Sequence, residues 1–165
     1  ADGGAGAIEH QGIFIGEGKI LAIHGAHFLI AAHLFIFGEQ EGQIVISLKN
    51  SEFERGDVVA FYIGNKLLVK RVIAGPGDFL VIQEDGTVIV NDKVLEEPYI
   101  SEKALGECDV EFPYQVPENN YFLMGDHRET SIDSRSTVIG GVAQDQIIGK
   151  ILCKVWPLKE LTWMG

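Results

Sequence analysis

The sequence has few cysteines, few prolines and no surplus of positive charge, and each shortage narrows what the chain can do. Acidic residues outnumber basic ones 24 to 13, for a formal net charge of −11, and the basic residues form no cluster. Nucleic acid is therefore not expected as a partner, because its binding rests on neutralising phosphates with Lys and Arg, and charge gives little hold on anionic lipid. Two cysteines, Cys108 and Cys153, match neither a metal-ligand spacing nor a C-x-x-C redox motif. They read either as two buried thiols or as one bridge made in an oxidising compartment. Beyond the Gly-rich, loosely hydrophobic N-terminal stretch "ADGGAGAIEHQGIFIGEGK" no repeats or low-complexity tracts appear, and amphipathic helical patterns of useful length are hard to find.

An uninterrupted hydrophobic run is also missing. The nearest approach is Ile20 to Phe37, "ILAIHGAHFLIAAHLFIF", which is broken by His24, Gly25, His27 and His33. Its length is near the lower limit for a membrane span, but the histidines and the lack of a basic flank count against one. It lacks the basic, apolar and small-residue order of a signal peptide. A spanning helix stays open beside buried strands or a short core helix. The histidines, with His10, Glu39 and Glu41 in the same segment, raise a metal reading. A helix would bring His24 and His27 together but leave His33 apart, and no zinc spacing matches. Packed or partly exposed histidines are expected, with no metal and no cofactor.

What is present is a β pattern. With 165 residues, 46% of them hydrophobic, the chain can build a core as one domain, or one domain plus a small extension. From Gln43 onward "QIVISL", "DVVAFYIG", "KLLVKRVIAG", "FLVIQEDGTVIVNDKVL", "NYFLMGD" and "QIIGKILCKVW" read as strands. Gly64-Asn65, Asp85-Gly86 and, more weakly, Asn91-Asp92 read as two-residue hairpin turns, and "GPGD" at Gly75 suits a type II turn. Turns this dense predict an all-β sandwich or barrel-like body. The stretch from Glu97 to Glu118, with Pro98, Pro113 and Pro117, reads as an irregular excursion between sheet elements.

Two stretches carry chemistry. In "LLVKRVIAGPGD" the strand period of two puts Leu68, Lys70 and Val72 on one face, and Val69, Arg71 and Ile73 on the other. Lys70 thus projects among aliphatic neighbours. Desolvation there disfavours the ammonium, and a lysine neutral near pH 7 can act as a base. The alternative is a lysine that snorkels to water from an edge strand. "GDHRETSIDSR", Gly125 to Arg135, interleaves both charge signs with Thr130, Ser131 and Ser134. Alone it also reads as a solvated loop whose side chains cap backbone amides.

Taken in order, "ERGDVVAFY", "VKRVIAGPGD" and "GDHRETSIDSR" resemble the conserved blocks of the type I signal peptidases, the serine–lysine membrane proteases of bacteria. The resemblance runs from about Glu41 to Trp156 and takes in "DQIIGKILCKVWPL". It implies a mostly antiparallel β fold in two parts, outside the membrane, that cuts signal peptides after small residues. It also implies a serine hydroxyl attacking the scissile carbonyl while a neutral, buried lysine takes the proton. Lys70 falls on that lysine, and Ser131 on the serine that orients it. Asp133 and Arg135 fall on a bracing acid–base pair, and Arg71 and Asp126 on a second. Arg128 falls among the supporting residues, and His127 stands where many members have asparagine.

The nucleophile block departs from the family. There the serine is followed by methionine, any residue, proline, threonine and leucine, and shortly by a glycine that aligns with Gly42. Counting back puts Leu34 at the serine position, and "LFIFGE" offers no hydroxyl to activate. The nearby oxyanion donors go with it. Ser47 lies on the wrong side of Gly42. Residues 1–40 therefore read as a separate segment, an anchor or a replaced region, and residues 41–165 as the signal-peptidase-like β domain.

The resemblance points to a serine endopeptidase acting on secretory preproteins at the outer face of the cell membrane. Leu34 implies negligible cleavage by this chain. A non-catalytic relative that binds or assembles at the membrane surface is the competing reading. A self-cleaving repressor-type protease shares the serine–lysine chemistry, but the chain has no DNA-binding helix pair or basic face.

Overall fold

A computed structural model of the chain describes residues 19–23, 30–37, 43–48, 52–156 and 162–163, with side chains over 52–151. The strands, in chain order, are β1 (Lys19–Ile23), β2 (Ile30–Phe37), β3 (Gln43–Leu48), β4 (Val58–Ile63), β5 (Lys66–Ala74) and β6 (Phe79–Ile82). They continue as β7 (Val88–Val90), β8 (Lys93–Val94), β9 (Tyr114–Gln115), β10 (Asn120–Met124), β11 (Val142–Ala143), β12 (Ile147–Trp156) and β13 (Thr162–Trp163). The larger sheet runs β1-β2-β3-β12-β4-β5-β10-β11, with β13 also on β12, and the smaller runs β8-β7-β6-β9. All their pairings are antiparallel. The predicted mainly β, antiparallel class is therefore what the chain adopts.

Local chemistry explains the corners. β4 turns into β5 through Gly64-Asn65, with Gly64 at φ 59° and Ile63 opposite Lys66. Glycine at the first central position with positive φ is what a type II′ hairpin turn requires. Asn91 and Asp92 both take positive φ, 50° and 62°, between Val90 and its partner Lys93. The weaker of the sequence signals thus makes a full type I′ turn. Asp85-Gly86 was expected as a two-residue turn, but the loop is wider. Gln83 N–H donates to Thr87 O at 2.9 Å, and Asp85 Oδ1 accepts from Thr87 N–H at 2.8 Å, so residues 84–86 span the corner. Asp85 prefers to cap the returning strand.

The apolar run Ile20 to Phe37 forms strand rather than a spanning helix over its described residues, with β2 paired between β1 and β3. Among the described residues no helix is long and apolar enough to cross a membrane. Cys108 is a free, half-exposed thiol, so neither the bridge nor the fully buried reading holds for it. The side chain of Cys153 lies outside the described residues.

β5 and β10 form the wall between two apolar clusters. Ile73, Phe122 and Met124 face Leu80, Ile82, Val88, Val90 and Val116 of the smaller sheet and its flank. Val72, Tyr121 and Leu123 pack with Val59, Phe61, Val142 and Ile147. Alternation along β5 is thus fixed by burial on both faces, which leaves little freedom for a register slip. The expected excursion, Glu97 to Glu118, is irregular as far as Pro113, but it is not irregular throughout: Tyr114–Gln115 forms β9, which pairs with β6 of the smaller sheet. Leu105 and Phe112 anchor it on the first cluster.

Candidate active site

Lys70 sits on β5 directly opposite Val59, on the face that Val72 and Leu68 share. Its Nζ lies 2.6 Å from Ser131 Oγ. Among the described residues this is its one hydrogen bond, and Lys70 joins no ion pair. Burial pushes the Lys70 ammonium down from its ordinary pKa of 10.5. Asp133 and, more weakly, Asp126 oppose that shift, and Arg135 reinforces it. Lys70 is half-buried, and it lines an open groove with Val58, Val69, Arg71 and Asp126.

Ser131 comes 61 residues later, so its placement depends on how the loop after β10 is held. Met124 pairs with Arg71, which delivers the next residue, Gly125, beside Lys70. A Cβ at Gly125 would overlap Ser131 Oγ and stand 3.3 Å from Lys70 Nζ. Glycine is needed here for close approach rather than for backbone conformation. The loop then folds on itself, with Ser131 N–H donating to His127 O at 3.1 Å. It returns to β10 through Ser134, whose N–H donates to Leu123 O and whose Oγ accepts from Leu123 N–H at 2.9 Å.

Asp133 and Arg135 are the buried centre of this loop. Arg135 Nε and Nη2 donate to the two oxygens of Asp133 at 2.8 and 2.9 Å. Asp133 also accepts from Gly125 N–H at 2.9 Å. Arg135 reaches three carbonyls besides, those of Ser131, Arg128 and Leu105. Both charges are thus fully partnered, as a buried pair must be to offset its desolvation. The contact with Ser131 O fixes the backbone of the serine that meets Lys70.

Arg71, on the opposite face of β5, donates from Nε and Nη2 to both oxygens of Asp126 at 2.9 and 2.8 Å. Its Nη1 reaches Gly56 O, and its guanidinium lies over the Tyr99 ring at 4.1 Å. Arg128 is buried, donating to Gly125 O at 3.1 Å and to both oxygens of Glu97. Glu97 and Tyr99 are the site residues that the sequence did not disclose. Both belong to the excursion, and Tyr99 O–H donates to Glu97 Oε1 at 3.0 Å. Their only signal was polarity inside a proline-bearing stretch with no period.

The structure brings Lys70, Ser131, Arg71, Asp126, Arg128, Asp133 and Arg135 into one connected site. Leu34 is not part of that group. It lies on β2 opposite Lys19 and Ile46, four strands from β5 in the sheet order. Ser47 pairs with His33 and Ile151, and its side chain lies outside the described residues. So do His10, His24, His27, Glu39 and Glu41, and the side chain of His33. Among the described residues no group of His, Cys, Asp or Glu could hold a metal ion.

Comparison with known proteins agrees with this geometry. The family described as "Signal peptidase, peptidase S26" matches residues 36–156. Signal peptidase IB of Staphylococcus aureus strain MRSA252 is 34% identical over 142 residues, covering 76% of this chain and 73% of that protein. Signal peptidase I U of Bacillus subtilis strain 168 is 36% identical over 117 residues, covering 66% and 62%. A crystal structure of a signal peptidase I from Enterococcus faecalis V583 superposes with a TM-score of 0.51 at 27% identity, over 60% of this chain and 96% of that one. A lysine on a central strand, a serine brought to it by a braced loop and a match over most of the chain carry one conclusion: the chain belongs to the type I signal peptidase family.

Proposed function

We propose that residues 41–165 form a serine–lysine site of the signal-peptidase type that recognises secretory preproteins at the outer face of the cell membrane. Lys70 is the general base, Ser131 orients it, and the pairs Asp133–Arg135, Arg71–Asp126 and Arg128–Glu97 hold the loop. The contact of Lys70 Nζ with Ser131 Oγ at 2.6 Å carries this reading. An amine that burial disposes to be neutral, held in place by donating to the Ser131 hydroxyl oxygen, keeps its lone pair free to take a proton. An extended precursor would lie along the groove beside Val58 and Val69, whose small apolar side chains suit small residues before the cut.

Leu34 favours a second reading within the same class, recognition without cleavage. A leucine cannot attack a carbonyl, and no acyl-enzyme forms on it. We therefore expect a preprotein whose signal ends in Ala-x-Ala to bind while remaining intact at neutral to alkaline pH. The test is a gel assay for cleavage with a binding measurement alongside. Turnover abolished by Lys70→Ala would overturn the non-cleaving reading and keep the enzyme. Turnover that survives Lys70→Ala would remove Lys70 from the chemistry, and neither binding nor cleavage would overturn both readings.

A further inference from the structure

We propose that Ser131 is itself an attacking group, whose hydroxyl, deprotonated by Lys70, takes the acyl group of small activated esters. The inference rests on reading Lys70 as a base, but it gives Ser131 a part in bond-making rather than in orientation alone. Three observations carry it. Among the described residues, Ser131 Oγ is the one hydroxyl bonded to Lys70 Nζ, at 2.6 Å. That is the distance at which a base takes a proton, so no movement is needed to start the reaction.

The serine is also held from both sides. Its N–H donates to His127 O and its carbonyl accepts from Arg135 Nη2 at 3.1 Å. Orientation is therefore settled before a substrate arrives, which is where much of the advantage of an enzymic nucleophile lies. Finally, each partner has its own exposure: Ser131 is partly exposed between the exposed Thr130 and Ile132, and Lys70 lines the open groove.

The substrate class follows from the sequence reading of the nucleophile block. With Leu34 at the serine position the family's nearby oxyanion donors are expected to be displaced, and peptide cleavage needs both such donors and a proton for the leaving amine. An aryl ester is less demanding, since its acyl carbon is already activated and its leaving aryloxide departs unprotonated. In the step, the bond from Ser131 Oγ to the acyl carbon forms and the carbon–aryloxide bond breaks. The aryloxide leaves with the electron pair, and the serine proton passes to Lys70 Nζ. The product is an O-acylated Ser131 and one free aryloxide.

The test uses the full chain with p-nitrophenyl acetate, following nitrophenolate release and mapping the acetyl group by peptide mass spectrometry. We expect one acetyl per chain, labile to hydroxylamine as an ester is, on the peptide bearing Ser131. Release should fall by at least about 100-fold in Ser131→Ala and in Lys70→Met. Ser131→Cys should keep the label, which separates loss of the attacking atom from loss of the fold. Acetylation of the Lys70 amine at an equal rate in Ser131→Ala overturns the proposal, and so does an unlabelled Ser131 in the parent chain. If Ser131 is labelled as fast in Lys70→Met as in the parent, the base assignment fails instead. A Lys70 that still titrates well below 10.5 beside an unreactive Ser131 would leave the base assignment standing and remove only this inference.

Discussion

Arg128 and Glu97 are joined by two hydrogen bonds, at 3.0 and 2.5 Å, with side chains 0% and 1% exposed. The pair ties the proline-bearing excursion to the loop that carries Ser131. Removing one charge strands the other without water. Glu97→Ala should therefore cost about 3–5 kcal/mol, far more than the ~0–1 of a surface pair. The urea midpoint of the purified variant checks this.

Asp133→Ala removes the acceptor of Gly125 N–H and of the Arg135 guanidinium together. The buried Arg135 keeps its carbonyl partners but loses its counter-charge, so the expected cost is again about 3–5 kcal/mol. Asp133→Asn, which keeps the shape and one acceptor, should lose less. Equal urea midpoints for Asp133→Ala and the parent would contradict the brace.

At Gly125 one methyl group is decisive. Gly125→Ala places a carbon where Ser131 Oγ now stands, and overpacking of this kind costs about 1–3 kcal/mol. The loop should retreat from Lys70 rather than β10 from β5, because strand pairing is the stiffer of the two. With the cover gone, the Lys70 amine should titrate closer to 10.5, as read from its side-chain 13Cε shift.

Lys70 also leaves a mark on stability. Its folded-state pKa lies below 10.5, so between the folded and unfolded values the unfolded chain binds more protons. Stability from this group is fully present above the unfolded value and is lost as pH falls through the folded one. Unfolding free energy should therefore rise with pH across that window, and Lys70→Met should flatten the rise. Urea melts of both proteins at several alkaline pH values decide it. An unchanged slope would mean the amine is solvated in the folded state.

The strands were legible where burial acts on alternate residues. The two faces of β5 could be read, because Lys70 interrupts an aliphatic face that the sheet completes with Val59 and Val72. The Asp133–Arg135 pair and the approach of Ser131 to Lys70 followed from the resemblance, since neither has a local pattern. Glu97 and Tyr99 stayed hidden for a related reason. Their partners lie on another part of the chain, Glu97 being 31 residues from Arg128, and an aperiodic stretch gives no hint of what it will meet. The Asp85-Gly86 corner is wider than its dipeptide signals because a side-chain cap, Asp85 to Thr87, competes with the tighter turn.

The separation of 61 residues between Lys70 and Ser131 sets a clock on the birth of the site. A ribosome adding about 5–20 residues per second delivers the lysine roughly 3–12 s before its partner. During that interval the amine stands in water with ordinary basicity and nothing to activate. No emerging chain, its own or a neighbour's, meets a primed base while it is still unfolded. The reactive state is thus a property of the folded topology and not of any segment, and synthesis order keeps it silent at least until the loop carrying Ser131 has been made.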